Sequence, residues 1–179
     1  MSLKKNIYYI LIVLLFINLS CVKNKEINSE VNNWVGKQLT LPKDSLIRNY
    51  IKKKTNPLKK KIKILTVING DCSICYDELK AWKSYIKETD TSQVGFVFII
   101  YTFNKLMEFN DMNNSTLKFQ YPYFQDDGEK IVKENNFPDN RLLKTFLLDS
   151  ENKVILIGNP TIHKSINDLY KKEIKKRIK

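Results

Sequence analysis

The chain is short of the residues that build metal sites and disulfide frameworks: its 179 residues hold three cysteines, Cys21, Cys72 and Cys75, and one histidine, His163. A structural zinc site usually needs four Cys or His ligands, so a pair of cysteines here would be half a site without the other half. No metal or other cofactor is expected. His163, near the start of the last predicted helix, reads as a surface or capping residue. The chain is also short of negative charge, with 19 acidic against 31 basic residues and a formal net charge of +12. The excess gathers in Lys52-Lys53-Lys54, Lys59-Lys60-Lys61 and the tail from Lys171 to Lys179. Such runs suit anionic head groups or acidic partners, and the simpler reading is a solvated surface. They carry no recognisable nucleic-acid-binding motif, so nucleic acid is not expected as a partner. Internal repeats are missing too.

What is present begins with an export signal. Lys4 and Lys5 precede an apolar stretch from Ile7 to Leu19 and then Leu19-Ser20-Cys21. The stretch is too short and too early for a membrane span. The small residue before Cys21 resembles a bacterial lipoprotein signal, in which the cysteine becomes the lipidated first residue, although Asn18 stands where such signals usually carry leucine. Ordinary secretion and a retained anchor are the alternatives. The expected organisation is a signal peptide over residues 1–20, a polar tether over 21–33 and one domain over 34–179, in the bacterial cell envelope and anchored to the membrane by lipid. Removing two lysines and no acid with the signal takes the formal charge from +12 to +10.

Cys72-Ser73-Ile74-Cys75 sits where a strand-like run hands over to a helix-like one. Lys61 to Asn69 is β-branched, alternates at its start and ends in the turn pair Asn69-Gly70. Beyond it, Cys75, Leu79, Trp82 and Ile86 recur at helical spacing and form a buried stripe, with Asp77, Glu78, Lys80 and Lys83 toward solvent. Cys75 then points inward and Cys72 outward. Asp71 is the expected N-cap, which places the Cys72 sulfur beside the unpaired amides of the first turn, where partial positive charge favours a thiolate. An exposed nucleophile with a buried partner three residues on suits attack on a disulfide and resolution of the mixed disulfide. A static structural disulfide, or a vestigial pair in a binding protein, is the other reading. Export favours a dithiol that some partner must reset, since disulfides persist outside the cytoplasm.

Val94 to Thr102 reads as a strand buried on both faces. A short helix over Asn104 to Met112, a loop at Asn113-Asn114-Ser115, a weak strand over Leu117 to Phe124 and a helix over Asp126 to Asn135 follow. Thr145 to Asp149 and Lys153 to Ile157 flank a hairpin turn. Ile166, Tyr170, Ile174 and Ile178 stripe a final helix that starts near Asn159-Pro160. This order implies an α/β fold with a mixed sheet between helices.

The order of elements, the Cys72-Ser73-Ile74-Cys75 junction and the later Thr145-Phe146-Leu147-Leu148-Asp149 resemble the thioredoxin fold. Within it, the chain is similar to exported, membrane-tethered proteins of the TlpA and ResA type, whose opening segment Trp34-Val35-Gly36-Lys37 and Leu39 to Leu46 also resemble. The resemblance implies a thiol-disulfide oxidoreductase in which Cys72 attacks and Cys75 resolves, with protein disulfides or dithiols as substrates and an unidentified redox partner. The group usually has an aromatic residue before the first cysteine, where this chain has Asp71. It has a cis-proline loop that helps bind substrate backbone, where this chain has Leu143 or Lys144. Thioredoxin keeps a buried acid in the preceding strand, and Thr66 matches it here, with Glu78 set to one side of the stripe. The competing function is a lipid-anchored binding or assembly lipoprotein with the same fold and no turnover. Copper delivery needs cysteines spaced by three residues and a placed histidine, and peroxiredoxins place a threonine where Asn69 stands.

Overall fold

The computed structural model describes residues 29–43, 47–48, 56–103 and 106–178. The signal-like segment, Cys21 and Lys52-Lys53-Lys54 lie outside the described residues. Two compact units divide between Val35 and Gly36. In the first, residues 29–34 are helical (α1), and the Val35 N–H donates to the Val31 carbonyl.

The second unit is built on β2 (Ile62–Asn69) and β3 (Val94–Thr102), which pair in parallel from Ile62 opposite Val94 to Asn69 opposite Tyr101. The long crossover between them is α2 (Ser73–Glu88), as a parallel pair requires. Four shorter strands complete a mixed sheet in the order β1-β4-β3-β2-β5-β6, with β1 (Ile47–Arg48), β4 (Tyr123–Asp127), β5 (Thr145–Leu148) and β6 (Val154–Ile157). Three further helices are α3 (Leu106–Met112), α4 (Lys130–Asn135) and α5 (Lys164–Arg177). Among the described residues no helix is long and apolar enough to cross a membrane.

One face of the sheet presents Ile62, Ile64, Ile68, Phe96, Phe98 and Ile100 to a core that includes Leu79 and Trp82 of α2 and Tyr170 of α5. Trp82 lies edge-on to Tyr85, Phe96 and Phe98, with ring centroids 5.4, 6.2 and 5.6 Å away, a preferred aromatic geometry. The opposite face buries the alternate residues, among them Leu65, Val67 and Phe146, the last tilted against Phe137 at 5.4 Å.

Lys63, in the alternating start of β2, is buried like its apolar neighbours. It is 2% exposed, and its ammonium donates to the carbonyls of Lys60 (2.9 Å) and Asp149 (3.1 Å). Those two acceptors make the burial tolerable, while desolvation holds its pKa below the usual lysine value. Several expectations are corrected. The expected strand over Leu117 to Phe124 starts later, at Tyr123, because Asn113–Leu117 form a π-helical turn that ends at left-handed Lys118. The Asn113 side chain fixes that turn by accepting the Phe119 N–H at 2.9 Å. Similarly α4 starts at Lys130 rather than Asp126, whose buried carboxylate accepts the N–H groups of Ile131 and Val132. Tyr85 is deeper in the α2 stripe than Ile86, which is half-buried. His163 is the exposed N-cap of α5, which begins at Lys164 rather than near Asn159-Pro160. The hairpin of β5 and β6 forms where the sequence placed it.

Gly95 tests how closely this sheet is packed at its lower end. A β-carbon there would stand 2.1 Å from the Pro57 carbonyl oxygen, which belongs to backbone and cannot turn aside. Gly95→Ala is expected to lower folding stability by about 1–3 kcal/mol, read from the urea midpoint at unchanged m-value.

Candidate functional site

The turn after β2 is tied before the helix begins. Asn69 accepts the Asp71 N–H on its side-chain oxygen at 2.9 Å, and the Gly70 N–H donates to the Tyr101 carbonyl at 2.8 Å. A β-carbon on Gly70 would lie 2.7 Å from Thr102 Cγ2 and 3.2 Å from side-chain atoms of Ile100 and Phe109, so the side chains packed over this turn leave room only for glycine. The Tyr76 hydroxyl then reaches back from the first turn of α2 to the Gly70 carbonyl at 3.0 Å.

Asp71 is not the N-cap. Its carboxylate turns away from α2 and accepts the Phe103 N–H at 2.7 Å, while its other oxygen is buried without a hydrogen bond. Cys72 takes the capping position in extended conformation, with no side-chain capping bond, and its carbonyl accepts the Cys75 N–H at 3.0 Å. The sulfur therefore stands at a helix end whose first amides lack intrahelical acceptors, and it is partly open to solvent.

Cys75, one turn on, is buried, and both thiols are free. Burial pushes the Cys75 thiol up to about 12, helped by a hydrogen bond with Cys72 and by the charges of Cys72 and Glu78, with Arg141 pulling the other way. Glu78, three residues further and on the same side of α2, is the residue the sequence reading set aside. It is half-buried, and Asn159 donates to it from the loop after β6 at 2.7 Å. Asn159 is itself fixed, its side-chain oxygen accepting the N–H and the hydroxyl of Thr161. Burial raises the Glu78 pKa above the ordinary carboxylate value, against the Trp82 indole N–H, the Arg141 charge and the Asn159 bond. The indole N–H faces the carboxylate without closing a hydrogen bond of normal geometry. What marks Glu78 in the sequence is its place three residues after Cys75, the spacing that stacks side chains on a helix.

Thr66, the match to thioredoxin's strand acid, shares a 2.9 Å hydroxyl–hydroxyl bond with Thr145. Lys144 immediately precedes β5, and Pro138 lies upstream of that position, before the 3₁₀ turn Arg141–Leu143. All peptide bonds of the described residues are trans. Among the described residues no group of three Cys, His, Asp or Glu side chains is placed to hold a metal ion.

A dithiol with one accessible sulfur, one buried sulfur and a carboxylate of raised pKa can exchange with a disulfide and move the accompanying proton. The sign of the Glu78 shift gives a stability test. With the folded pKa raised, the contribution of Glu78 is present below the unfolded value of about 4.3 and is lost as pH rises through the folded value. Glu78→Gln stays neutral at every pH and keeps an acceptor for Asn159. Relative to the parent it is expected to gain stability at pH 7 and to lose that advantage below pH ~4, in urea unfolding at the two pH values.

No protein-family model and no curated protein matches the chain. Solved structures do. A protein from Bacteroides thetaiotaomicron provisionally assigned as a protein disulfide isomerase shares 19% identity at a TM-score of 0.51, over 64% of this chain and 72% of its own. A protein from Bacteroides vulgatus provisionally assigned as a thiol-disulfide oxidoreductase shares 19% at 0.52, over 66% and 76%. A thioredoxin-like superfamily protein shares 11% at 0.57, over 81% and 96%. With β4-β3-β2-β5-β6 as its central strands and the Cys-x-x-Cys pair opening α2, the chain has a thioredoxin-like fold.

Proposed function

We propose that the protein is a thiol-disulfide oxidoreductase of the bacterial cell envelope, with Cys72 as nucleophile and Cys75 as resolving thiol. The observation that carries this reading is the inequality of the two sulfurs: Cys72 is at the solvent-reaching end of α2, and Cys75 is buried one turn below it beside a carboxylate. The names given to two of its structural neighbours, a disulfide isomerase and a thiol-disulfide oxidoreductase, support the same class.

In the reducing direction the Cys72 thiolate attacks one sulfur of a substrate disulfide. A Cys72–substrate disulfide forms, and the first substrate sulfur leaves as a thiolate that takes a proton from water. The Cys75 thiol, high in pKa, loses its proton to Glu78, whose raised pKa suits it to accept. The Cys75 thiolate then attacks the Cys72 sulfur and expels the second substrate thiolate. The substrate gains two electrons, and the protein is left with a Cys72–Cys75 disulfide. A redox partner of suitable potential resets it, and the same steps reversed oxidise a dithiol. Lipidation of Cys21, with residues 21–33 as tether, would hold this centre at a membrane surface.

Cys72→Ser is expected to abolish exchange with a disulfide substrate, and Cys75→Ser to accumulate the mixed disulfide, seen as a mass adduct on Cys72. Glu78→Gln is expected to slow resolution by about 10²-fold while sparing the first attack. Equilibration in graded thiol–disulfide buffers checks the pair directly: a reversible two-electron transition supports the reading, and a pair locked in one state throughout refutes it.

A further inference from the structure

The loop before β5 has no backbone donor left to offer beyond its first turn. The Leu142 N–H donates to the Asn140 side chain (3.1 Å), Leu143 N–H to the Asn140 carbonyl (2.9 Å) and Lys144 N–H to the Arg141 carbonyl (3.3 Å). The Lys144 carbonyl in turn accepts the Val67 N–H at 2.9 Å. With those donors engaged, what this loop presents to a visitor is its carbonyls and its side chains, and two of the side chains, Arg141 and Lys144, are cationic.

Lys144 places its ammonium 5.7 Å from the centroid of the Tyr101 ring, the residue whose carbonyl anchors Gly70. Tyr101 is held to Gly70, two residues before Cys72, and the Lys144 carbonyl is held to Val67 of β2, so Lys144 lies at the end of the sheet from which the dithiol turn leaves. Arg141 is exposed, and its charge reaches both Cys75 and Glu78. Among the described residues neither cation makes an ion pair. The acids nearby are already engaged: Asp71 by the Phe103 N–H, Glu78 by Asn159, and Glu129 by Lys133 at 3.4 Å. Ile74 lies between the two cysteines, Phe103 follows β3 and donates its N–H to Asp71, and Leu142 lies between the two cations in sequence; Ile74 and Phe103 are each 62% exposed and Leu142 is 43% exposed. Exposed apolar side chains gathered beside unpaired cations mark a contact surface for a partner with the complementary pattern.

We propose that this rim selects polypeptide substrates in which the reacting cysteine is flanked by carboxylates and an apolar side chain. Arg141 and Lys144 take the acids, and Ile74, Phe103 and Leu142 take the apolar contact. The proposal rests on the dithiol reading above, and it names the partner's chemistry where the loop's backbone donors are occupied.

The test uses the full chain and three disulfide-bonded peptides that differ only in carrying Glu, Gln or Lys on both sides of one cysteine next to a leucine. The uncharged bis(2-hydroxyethyl) disulfide serves as reference. At low salt the second-order exchange rate is expected to fall in the order Glu, Gln, Lys, by about tenfold from end to end, and the spread to collapse at high salt. Arg141→Glu with Lys144→Glu is expected to reverse the order, the readout being the ratio of rates and not their size. Lys144→Gln alone, should the double variant not fold, is expected to narrow the ratio. Equal rates for the three peptides, or an unchanged order in the charge-reversed variant, overturns the proposal. Failure of the chain to react with the uncharged disulfide overturns the dithiol reading instead. In that case fluorescence anisotropy of the same peptides with Ser for Cys decides the docking face by the order of their affinities.

Discussion

Gly70 carries the β2–β3 ladder one residue past the strand, and the position of the dithiol depends on that step. Its N–H meets the Tyr101 carbonyl at 2.8 Å, at a separation that leaves no room for a β-carbon beside Thr102. The bond from Phe103 to the Asp71 carboxylate and the bond from Tyr76 to the Gly70 carbonyl then tie the turn to the end of β3 and to the first turn of α2. With the backbone held on both sides, Cys72 becomes the N-cap by placement alone, although it makes no capping bond. A serine or aspartate there would satisfy a free amide and stabilise the helix by about 1 kcal/mol. A cysteine leaves the amides unsatisfied, and their partial charge remains available to a thiolate.

The same turn explains how an acid can stand beside the Cys72 thiol. A free carboxylate at position 71 would repel a thiolate at position 72. Here Asp71 accepts a main-chain N–H from another element, which holds its charge toward Phe103 and away from the helix end. Its second oxygen is buried and unpaired, an energetic cost that the tie to β3 must offset. The acid thus serves as a strut of the turn.

Much of this could be read from the sequence, and the parts that could not share a cause. The β-branched run ending in Asn69-Gly70, the continuous apolar run of β3 and the spacing of Cys75, Leu79 and Trp82 each report burial on a regular element, and each element formed. The inward Cys75 and outward Cys72 follow from the same period. The burial of Lys63 was not legible because alternation reports side-chain type, whereas its burial depends on carbonyls of Lys60 and Asp149, one of them 86 residues away. Asp71 misled because Asp before a helix suits a cap, and only the fold brings the Phe103 amide within reach. The π-helical turn at Asn113–Leu117 rests on one side-chain bond from Asn113 that no periodicity announces. Glu78 looked like a solvent-side residue of α2 until the loop after β6 closed over it with Asn159.

That closure decides which titratable group stands near the buried thiol. Position 66 of β2 holds a hydroxyl paired with Thr145, and a hydroxyl bonded to another hydroxyl neither ionises nor accepts a proton at neutral pH. The carboxylate whose charge acts on Cys75 comes instead from α2 itself, and it is held by a side chain at the end of the β5–β6 hairpin. Gly158, in the left-handed region, donates its N–H to the Thr145 carbonyl and so fixes where Asn159 begins. Strand β5 therefore carries two duties at one end: Thr145 anchors the loop that holds Glu78, and the residue before it, Lys144, lies over the Tyr101 ring. The side chain that holds Glu78 and the Lys144 cation both hang from one end of β5, so a shift of β5 against β2 would move Asn159 and Lys144 together relative to Glu78 and Cys75.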